Sequence, residues 1–294
     1  MRGRFGTVLT AMATPFTAEG ALDLPGAEAL ADHLLRNGSD GLVVAGSTGE
    51  APTLTHDEKD ALWRAVLGAV DGRGPVLCGA GTNATAESVE LARIAEKAGA
   101  DGLLLVTPYY NRPPQRGLVA HFTTVAEAVD LPVMLYNVPS RTATRIEHET
   151  LLALAAVPNI VAIKDSTGDL QGASRLIAAL PEDTEVYAGD DWAAFTLATL
   201  GAVGVVSVAS HVVGPRIAAM FALLAADDVE GARAVHEELT PVFDALFVTS
   251  NPIPLKAALR TLGLPGGDPR PPLVPATADE RSRIEEALRG AGLR

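Results

Sequence analysis

Eight short apolar runs, rich in β-branched residues, alternate along the chain with segments that have a helical spacing of apolar side chains. The runs are Thr7–Ala13, Leu42–Ala45, Val76–Ala80, Leu103–Val106, Val133–Tyr136, Ile160–Ile163, Val186–Ala188 and Val205–Val208. Such runs are typical of strands buried on both faces, and their alternation with helices predicts a parallel sheet with right-handed crossovers. The pattern therefore predicts an α/β fold, either a closed (β/α)8 TIM barrel or an open doubly wound sheet. Eight units within about 220 residues favour the barrel.

The strand pattern ends after Val208, and the remaining chain has helical spacing only. The predicted helices are Ile217–Ala226, Val229–Phe247, Ile253–Leu262 and Asp279–Leu288. Proline-rich and glycine-rich segments, Asn251–Pro254 and Leu264–Pro272, separate the last three. We predict a catalytic barrel over residues 1–225 and a helical C-terminal domain over residues 226–294, packed on the barrel or used in assembly.

Composition limits the classes of partner. The chain has 294 residues, is 48% hydrophobic and carries a formal net charge of −13, which argues against nucleic acid or an anionic membrane as a partner. Its one cysteine, Cys78, lies in an apolar run and is expected to be a buried, inert thiol. Thr7 and Thr10 interrupt the first apolar run, which indicates a strand and not a secretory signal. We expect a soluble cytoplasmic protein.

One lysine stands out because it follows an apolar strand. In Ile160-Val-Ala-Ile-Lys-Asp-Ser166, four apolar residues lead directly into Lys164. Lysine is seldom fully buried unless it has a partner or takes part in chemistry. Lys164 could extend from the strand end into solvent. Alternatively, a dry site would favour its neutral amine, which can attack a carbonyl group and form a Schiff base.

Polar segments follow several of the other predicted strands. They are Gly46–Glu50, Thr107–Arg112, Tyr136–Thr142 and Ala188–Asp191. In a closed barrel the carboxyl ends of all strands surround one mouth, where catalytic groups lie. Taken alone, Tyr136 could be a core aromatic residue and Arg141 a surface residue. Beside a strand-end lysine, a phenol suits proton transfer and a guanidinium suits a carboxylate ligand.

Three other patterns indicate no metal or nucleotide. Asp190 and Asp191 lack a histidine at ligand spacing, so strand-end capping is favoured over a metal site. Gly46–Glu50 lacks the lysine of a phosphate-binding loop, although its hydroxyls and N–H groups suit a small anion. Gly79–Ala84 resembles a dinucleotide-binding turn, but Asp101 precedes the next strand instead of ending it, which argues against a nicotinamide cofactor.

Four motifs occur in order and at matching separations: Gly46-Ser-Thr-Gly-Glu50, Tyr109-Tyr-Asn-Arg-Pro113, Tyr136-Asn-Val-Pro-Ser-Arg-Thr142 and Val161-Ala-Ile-Lys-Asp-Ser-Thr-Gly168. Together they resemble the pyruvate-dependent class I aldolase family of dihydrodipicolinate synthase and N-acetylneuraminate lyase. The resemblance covers nearly the whole chain, through Asn251–Lys256. It implies a (β/α)8 barrel with a helical C-terminal domain, assembled as a homotetramer, a dimer of dimers.

The resemblance is greatest to members that condense pyruvate with aspartate-4-semialdehyde on the lysine and diaminopimelate pathway. It implies that Lys164 forms a Schiff base with pyruvate and that no metal or organic cofactor is needed. Tyr136 would relay protons through Thr48 to Tyr110, which reaches across from a neighbouring subunit. The other implied substrate-binding residues are Ser47 and Thr48 for the pyruvate carboxylate, Gly189 and Val206 in the pocket wall, and Arg141 for the carboxylate of the semialdehyde.

The chain departs from the family pattern at two places. Ala143 follows Arg-Thr where glycine is usual. In members inhibited by lysine, a regulatory site includes two histidines, an asparagine, a glutamate and a tyrosine. The matching residues here are His56, Asn83, Glu87 and Tyr109. Lys59 replaces the second histidine, and Pro52 stands where a small residue is usual. A cation at that position repels the ammonium group of lysine. We therefore expect weak or absent feedback inhibition by lysine.

Three alternatives remain open from the sequence. The first is a sibling aldolase, lyase or dehydratase with the same Schiff base but a sugar acid or a 4-hydroxy-2-oxo acid as substrate. The second is a catalytically idle homologue used for binding or assembly, against which the intact set of Lys164, Tyr136, Thr48 and Tyr110 argues. A nicotinamide-dependent dehydrogenase is the third and least favoured.

Overall fold

The computed structural model describes residues 3–293 and contains a closed barrel of eight parallel strands, each paired with its neighbours in chain order. The strands are β1 Val8–Ala11, β2 Gly41–Val44, β3 Val76–Gly79, β4 Gly102–Val106, β5 Val133–Asn137, β6 Ile160–Asp165, β7 Glu185–Ala188 and β8 Gly204–Ser207. The pairing of β1 with β8, with Leu9 opposite Val206, closes the sheet. The predicted TIM barrel is confirmed, and the open sheet is excluded.

Helices cover the outside of the barrel. They are α1 Leu24–Arg36, α2 His56–Val70, α3 Thr85–Ala98, α4 Gln115–Ala126, α5 Pro139–Thr142, α6 His148–Leu154, α7 Leu170–Ala179, α8 Asp191–Thr199 and α9 Ser210–Ala225. Side-chain caps set the starts of α1, α2, α7 and α8, as in the capping box of Thr55 and Glu58 at α2. The short α5 places residues that follow β5 at the barrel mouth.

Three further helices form the C-terminal extension: α10 Val229–Leu246, α11 Ile253–Thr261 and α12 Ala278–Gly290. All the helices predicted for this region are present, with boundaries within a few residues except that α9 begins earlier than expected. The kink of α9 at Val213, two residues before Pro215, marks where its first turn departs from the rest. The division of the chain into domains at residue 225 stays a prediction.

The apolar core has two parts, as a barrel requires. A smaller cluster fills the barrel interior with alternate residues of the strands, among them Leu9, Val43, Leu77, Leu104 and Met134. A larger cluster lies between the sheet and the surrounding helices and continues into the extension through Leu255 and Leu259. Cys78 belongs to this larger cluster and is fully buried, and burial raises the pKa of its thiol, so the expected inert thiol is found.

Candidate active site

Lys164 lies inside the barrel near the carboxyl end of β6, between Tyr136 of β5 and Tyr187 of β7. Its side chain is only 5% exposed, and its Nζ atom lies 4.1 Å from the ring centroid of Tyr136. Within residues 3–293 no carboxylate forms an ion pair with it. Burial lowers the pKa of Lys164, and the charges of Tyr136 and Asp191 act against that change. A buried, unpaired amine of this kind is a suitable nucleophile toward a carbonyl carbon.

A cavity of about 430 Å³ opens beside this lysine at the carboxyl ends of the strands. Tyr136 lines the cavity and also contacts the amine of Lys164. Ser47 and Arg141 also line the cavity. The side chain of Ser47 is half-buried, whereas Arg141 is exposed at the rim. The structure therefore brings Tyr136, Ser47 and Arg141 to one space next to Lys164.

The segment Gly46–Glu50 follows β2 and is held from two sides. The Thr48 hydroxyl accepts a hydrogen bond from Asn251 Nδ2 at 2.9 Å, and the carbonyl oxygen of Gly49 accepts one from Thr14 Oγ1 at 2.7 Å. Glu50, with φ of 55°, ends the segment in the left-handed region. Thr48 is 3% exposed, so its hydroxyl is positioned in a dry environment. No hydrogen bond joins it to Tyr136 among the described residues.

Arg141 lies on α5 and is oriented by the C-terminal extension. Its Nη2 atom donates a hydrogen bond to the main-chain oxygen of Asn251 at 3.0 Å. Ala143, directly after α5, has φ of 53° and ψ of 18°, a conformation that favours glycine. The glycine usual at this position in the family therefore has a physical reason, and Ala143 holds the same turn at a small cost in backbone strain.

The ends of β7 and β8 complete the wall beside Lys164. A Cβ atom added to Gly189 would lie 2.1 Å from Ser166 Oγ and 3.0 Å from Lys164 Cγ, so only glycine fits there without displacement. The main-chain N–H of Gly189 donates to Asp165 O at 2.7 Å. Val206 is buried in the barrel interior. Gly189 therefore lies against the lysine side chain, and the position of Val206 in the pocket wall stays a prediction.

The paired carboxylates after β7 have structural partners. Asp190 caps α8 by accepting from the main-chain N–H of Trp192 at 3.0 Å. Asp191 is buried and accepts from Ser207 Oγ at 2.5 Å and from the main-chain N–H groups of Val208 and Ala209. Burial raises its pKa to about 6. The predicted capping role is confirmed, and within residues 3–293 no group of His, Cys, Asp and Glu side chains is arranged to hold a metal.

Tyr110 is not among the residues that line this cavity. It is 90% exposed, has φ of 72°, and forms no hydrogen bond with Thr48 in the described part of the chain. Its expected contribution to the site of a neighbouring subunit stays a prediction. The segment 109–112 is connected to the loop before α3 by the hydrogen bond from Asn111 Nδ2 to Asn83 O at 2.8 Å.

The residues expected at a regulatory site do lie together. His56 Nε2 contacts Glu87 Oε1 at 3.1 Å, while Glu87, Lys59 and Tyr109 line the far end of the same cavity. Lys59 is 4% exposed, and burial lowers its pKa while the charge of Glu87 raises it. Burial also raises the pKa of Tyr109. A buried lysine side chain next to Glu87 therefore occupies this end of the cavity.

Two contacts from the C-terminal extension were not predicted. Asn251 touches both Thr48 and Arg141, and Lys256 forms an ion pair with Glu50 at 2.5 Å. The sequence contained a signal for both, because Asn251–Lys256 was part of the family resemblance. Sequence alone assigns neither residue a role, since their partners are more than 100 positions away in the chain.

Comparison with known proteins identifies the family. The model of the dihydrodipicolinate synthetase family matches residues 4–291. The chain belongs to this family. Its members include a 4-hydroxy-tetrahydrodipicolinate synthase from Moorella thermoacetica, which is 53% identical over 99% of both chains. The family assignment and the observed barrel agree.

Solved structures of the dihydrodipicolinate synthetase family superpose closely on this chain. The enzyme from Cyanidioschyzon merolae, solved with lysine bound, is 46% identical with a TM-score of 0.98 over 100% of both chains. The chloride-inhibited enzyme from Acinetobacter baumannii, solved with pyruvate, is 38% identical with a TM-score of 0.96 over 99% and 100% of the two chains. The family fold therefore extends through the C-terminal extension.

Proposed function

We propose that this protein is a 4-hydroxy-tetrahydrodipicolinate synthase, a lyase that condenses pyruvate with aspartate-4-semialdehyde on the lysine and diaminopimelate pathway. The observation that carries the proposal is the buried, unpaired amine of Lys164 beneath Tyr136, at the mouth of a barrel of this family. The curated relative from Moorella thermoacetica has this name. The pyruvate-bound relative supports the first substrate.

The chemistry requires a neutral amine in a dry site. The Lys164 nitrogen attacks C2 of pyruvate, and the carbonyl oxygen leaves as water, which forms an iminium ion. The positive iminium withdraws electrons and acidifies the pyruvate methyl group, which loses a proton to give an enamine. The enamine carbon then attacks the aldehyde carbon, whose oxygen takes up a proton, and the iminium on Lys164 re-forms. The amino group of the acceptor, after losing a proton, attacks the iminium carbon, which closes the ring and releases the Lys164 amine. The proximity of Tyr136, whose ring centroid lies 4.1 Å from Nζ, supports its proposed role in moving these protons.

The two substrates need two anion-binding positions. Ser47 and Thr48, in the segment after β2, suit the pyruvate carboxylate through hydroxyl and main-chain N–H donors. Arg141, exposed at the rim of the cavity, suits the carboxylate of the semialdehyde. Gly189 and Val206 form the wall beside Lys164. In this scheme the Schiff base on Lys164 takes the place of a metal or an organic cofactor.

We also infer a cytoplasmic homotetramer, with Tyr110 completing the proton relay of a neighbouring subunit through Thr48. The 90% exposure of Tyr110 supports this arrangement, because the residue makes no contact with Thr48 in its own chain. Within residues 3–293, no helix combines the length and the apolar character needed to cross a bilayer.

Covalent trapping tests the Schiff base. Borohydride treatment in the presence of pyruvate should add a stable adduct to the wild-type chain, and peptide mapping should place it on Lys164. Lys164→Ala should abolish the adduct, whereas Lys97→Ala, at an exposed lysine on α3, should retain it. An adduct that survives in Lys164→Ala, or fails to form in the wild type, would exclude the mechanism.

Steady-state turnover tests the acceptor. With pyruvate and aspartate-4-semialdehyde, coupled to the next reductase of the pathway, we expect kcat in the range of roughly 1–1,000 per second. A parallel panel of sugar acids and 4-hydroxy-2-oxo acids should give much lower values. Turnover of one of these substrates, with none of the semialdehyde, would contradict the proposed acceptor and leave the Schiff-base chemistry intact.

A further inference from the structure

Asn251 stands between the two groups that the proposed function assigns to the two substrates. It precedes α11 in the C-terminal extension, lines the cavity and is 6% exposed. Its Nδ2 atom donates to Thr48 Oγ1 at 2.9 Å, and its main-chain oxygen accepts from Arg141 Nη2 at 3.0 Å. The residue therefore lies where the carboxylate of the acceptor, held by Arg141, would be brought toward the covalently bound pyruvate.

The side-chain oxygen of Asn251 is free. An amide group offers two donors on its nitrogen and two lone pairs on its oxygen. The nitrogen is committed to Thr48, while Oδ1 is shielded from water and has no hydrogen-bond partner among residues 3–293. A buried acceptor without a partner is unfavourable, and such groups are rare in folded proteins. This oxygen is therefore available to a donor on a ligand.

The proposed acceptor substrate supplies such a donor. Aspartate-4-semialdehyde carries its ammonium and carboxylate groups on the same carbon atom. A carboxylate bound by Arg141 places the ammonium group within a few ångströms of the guanidinium, so a hydrogen-bond acceptor is needed next to Arg141. Glu50, which also lines the cavity, is already engaged, because its two oxygens contact Lys256 Nζ and the main-chain N–H of Arg270. Asn251, whose main-chain oxygen contacts Arg141, carries an unoccupied acceptor in its side-chain Oδ1.

We propose that Asn251 Oδ1 accepts a hydrogen bond from the α-ammonium group of the acceptor and so selects an amino aldehyde over aldehydes without an amino group. This inference rests on the proposed function and adds a specificity-determining residue to it. A neutral amide suits the task, because a carboxylate at this position would repel the carboxylate of the substrate. The contact with Thr48 fixes the amide so that its oxygen remains the free end.

A comparison of two ligands tests the proposal. The compound 4-oxobutanoate has the aldehyde and the carboxylate of aspartate-4-semialdehyde but lacks the amino group. In Asn251→Ala, we expect KM for aspartate-4-semialdehyde to rise at least about tenfold, as for a lost hydrogen bond to a charged group. The inhibition constant of 4-oxobutanoate should change less than about threefold. Because both ligands experience any disturbance of Thr48 and Arg141, the ratio of the two effects isolates the ammonium contact.

Equal weakening of both ligands in Asn251→Ala would overturn the proposal and leave Asn251 a purely positioning residue. The pyruvate adduct on Lys164, trapped with borohydride, shows that the variant retains its fold, and Asn251→Ser replaces it if the alanine variant is insoluble. Failure of the proposed function is distinguishable, because the wild type would then not turn over aspartate-4-semialdehyde. That outcome overturns this inference as well.

Discussion

The buried ion pair between Lys256 and Glu50 connects the C-terminal extension to the segment that follows β2. Their side chains are 2% and 0% exposed, and Lys256 Nζ lies 2.5 Å from Glu50 Oε1. The second oxygen of Glu50 accepts from the main-chain N–H of Arg270 at 2.8 Å. Lys256 Nζ also lies 4.1 Å from the ring centroid of Phe16 and 3.3 Å from Asp268 O. Removal of either charge therefore leaves the other charge buried.

We expect Lys256→Met to lower the free energy of unfolding by about 3–5 kcal/mol, the range for a buried ion pair that loses one partner. Methionine has nearly the length of the lysine stem and keeps the contact with Phe16, so the loss reports the charge. The double variant Lys256→Met with Glu50→Gln removes both charges, and its glutamine oxygen can still accept from Arg270. It should recover to within about 1–2 kcal/mol of the wild type, because a buried pair replaced as a whole costs little.

Denaturant titrations at pH 7, followed by circular dichroism, measure these differences. Arg233→Met serves as the control, because Arg233 pairs with Glu230 and Glu237 on an exposed face of α10 and should show little change. If Lys256→Met unfolds at the same midpoint as Arg233→Met, or if the double variant is no more stable than the single one, the pair has no coupling and the reasoning fails. The variant should also raise KM for pyruvate, since Glu50 anchors the segment that contains Thr48.

Three further predictions concern Gly189 in the wall of the site, Lys59 at the regulatory position and the buried His211. Gly189→Ala should strongly reduce the trapped pyruvate adduct, because the new Cβ would lie 2.1 Å from Ser166 Oγ and 3.0 Å from Lys164 Cγ. The control is Gly68→Ala, on a helix with free space around it, which should have no effect on the adduct. Equal effects of the two substitutions would argue against a steric cause. Free lysine should inhibit weakly or not at all, because the buried ammonium of Lys59 repels it, and inhibition at sub-millimolar lysine in a steady-state assay would contradict this expectation. Burial lowers the pKa of His211 to about 4, while its Nδ1 contacts Val208 O and its Nε2 accepts from the Ala13 N–H, so the folded state favours the neutral ring. The contribution of the neutral His211 ring to the free energy of unfolding is therefore complete above about pH 6.5 and is lost as the pH falls toward 4, at about 1.4 kcal/mol per pH unit. His211→Gln should remove this pH dependence of the unfolding free energy in denaturant titrations. An unchanged pH dependence would assign it to other groups.

The fold could be predicted because its signals are local. Each strand is a short run of mostly β-branched and aliphatic residues, and glycine or proline marks nearly every boundary, so eight strands in parallel order can be predicted from the pattern alone. Closure of the sheet could not be derived in this way, because it depends on pairing between β1 and β8, which lie about 200 residues apart. The early start of α9 escaped prediction because its first turn, with Val213 outside helical geometry, has no clear helical pattern.

The site was predictable in part for a similar reason. Lys164 and Tyr136 stand out because a charged or phenolic group lies at the end of an apolar run, whereas Arg141 gains its role only from the family resemblance. For Glu50 the sequence predicts only the end of a glycine-containing turn, since a buried carboxylate cannot be distinguished from an exposed one until the residue that pairs with it is known. Asn251 was assigned to a turn between helices, because its neighbours are prolines. Its function depends on contacts with Thr48 and Arg141, which no local pattern encodes.

These contacts bear on how the C-terminal extension relates to the barrel. A helical domain that only assisted assembly would have no reason to place polar side chains against the barrel mouth. Here the extension supplies the partner of the Thr48 hydroxyl, the main-chain oxygen that orients Arg141 and the cation that neutralises Glu50. Each of these contacts lies at or next to a residue proposed to bind substrate. We therefore infer that the barrel and the extension form one catalytic unit, whatever division of the chain into domains is drawn.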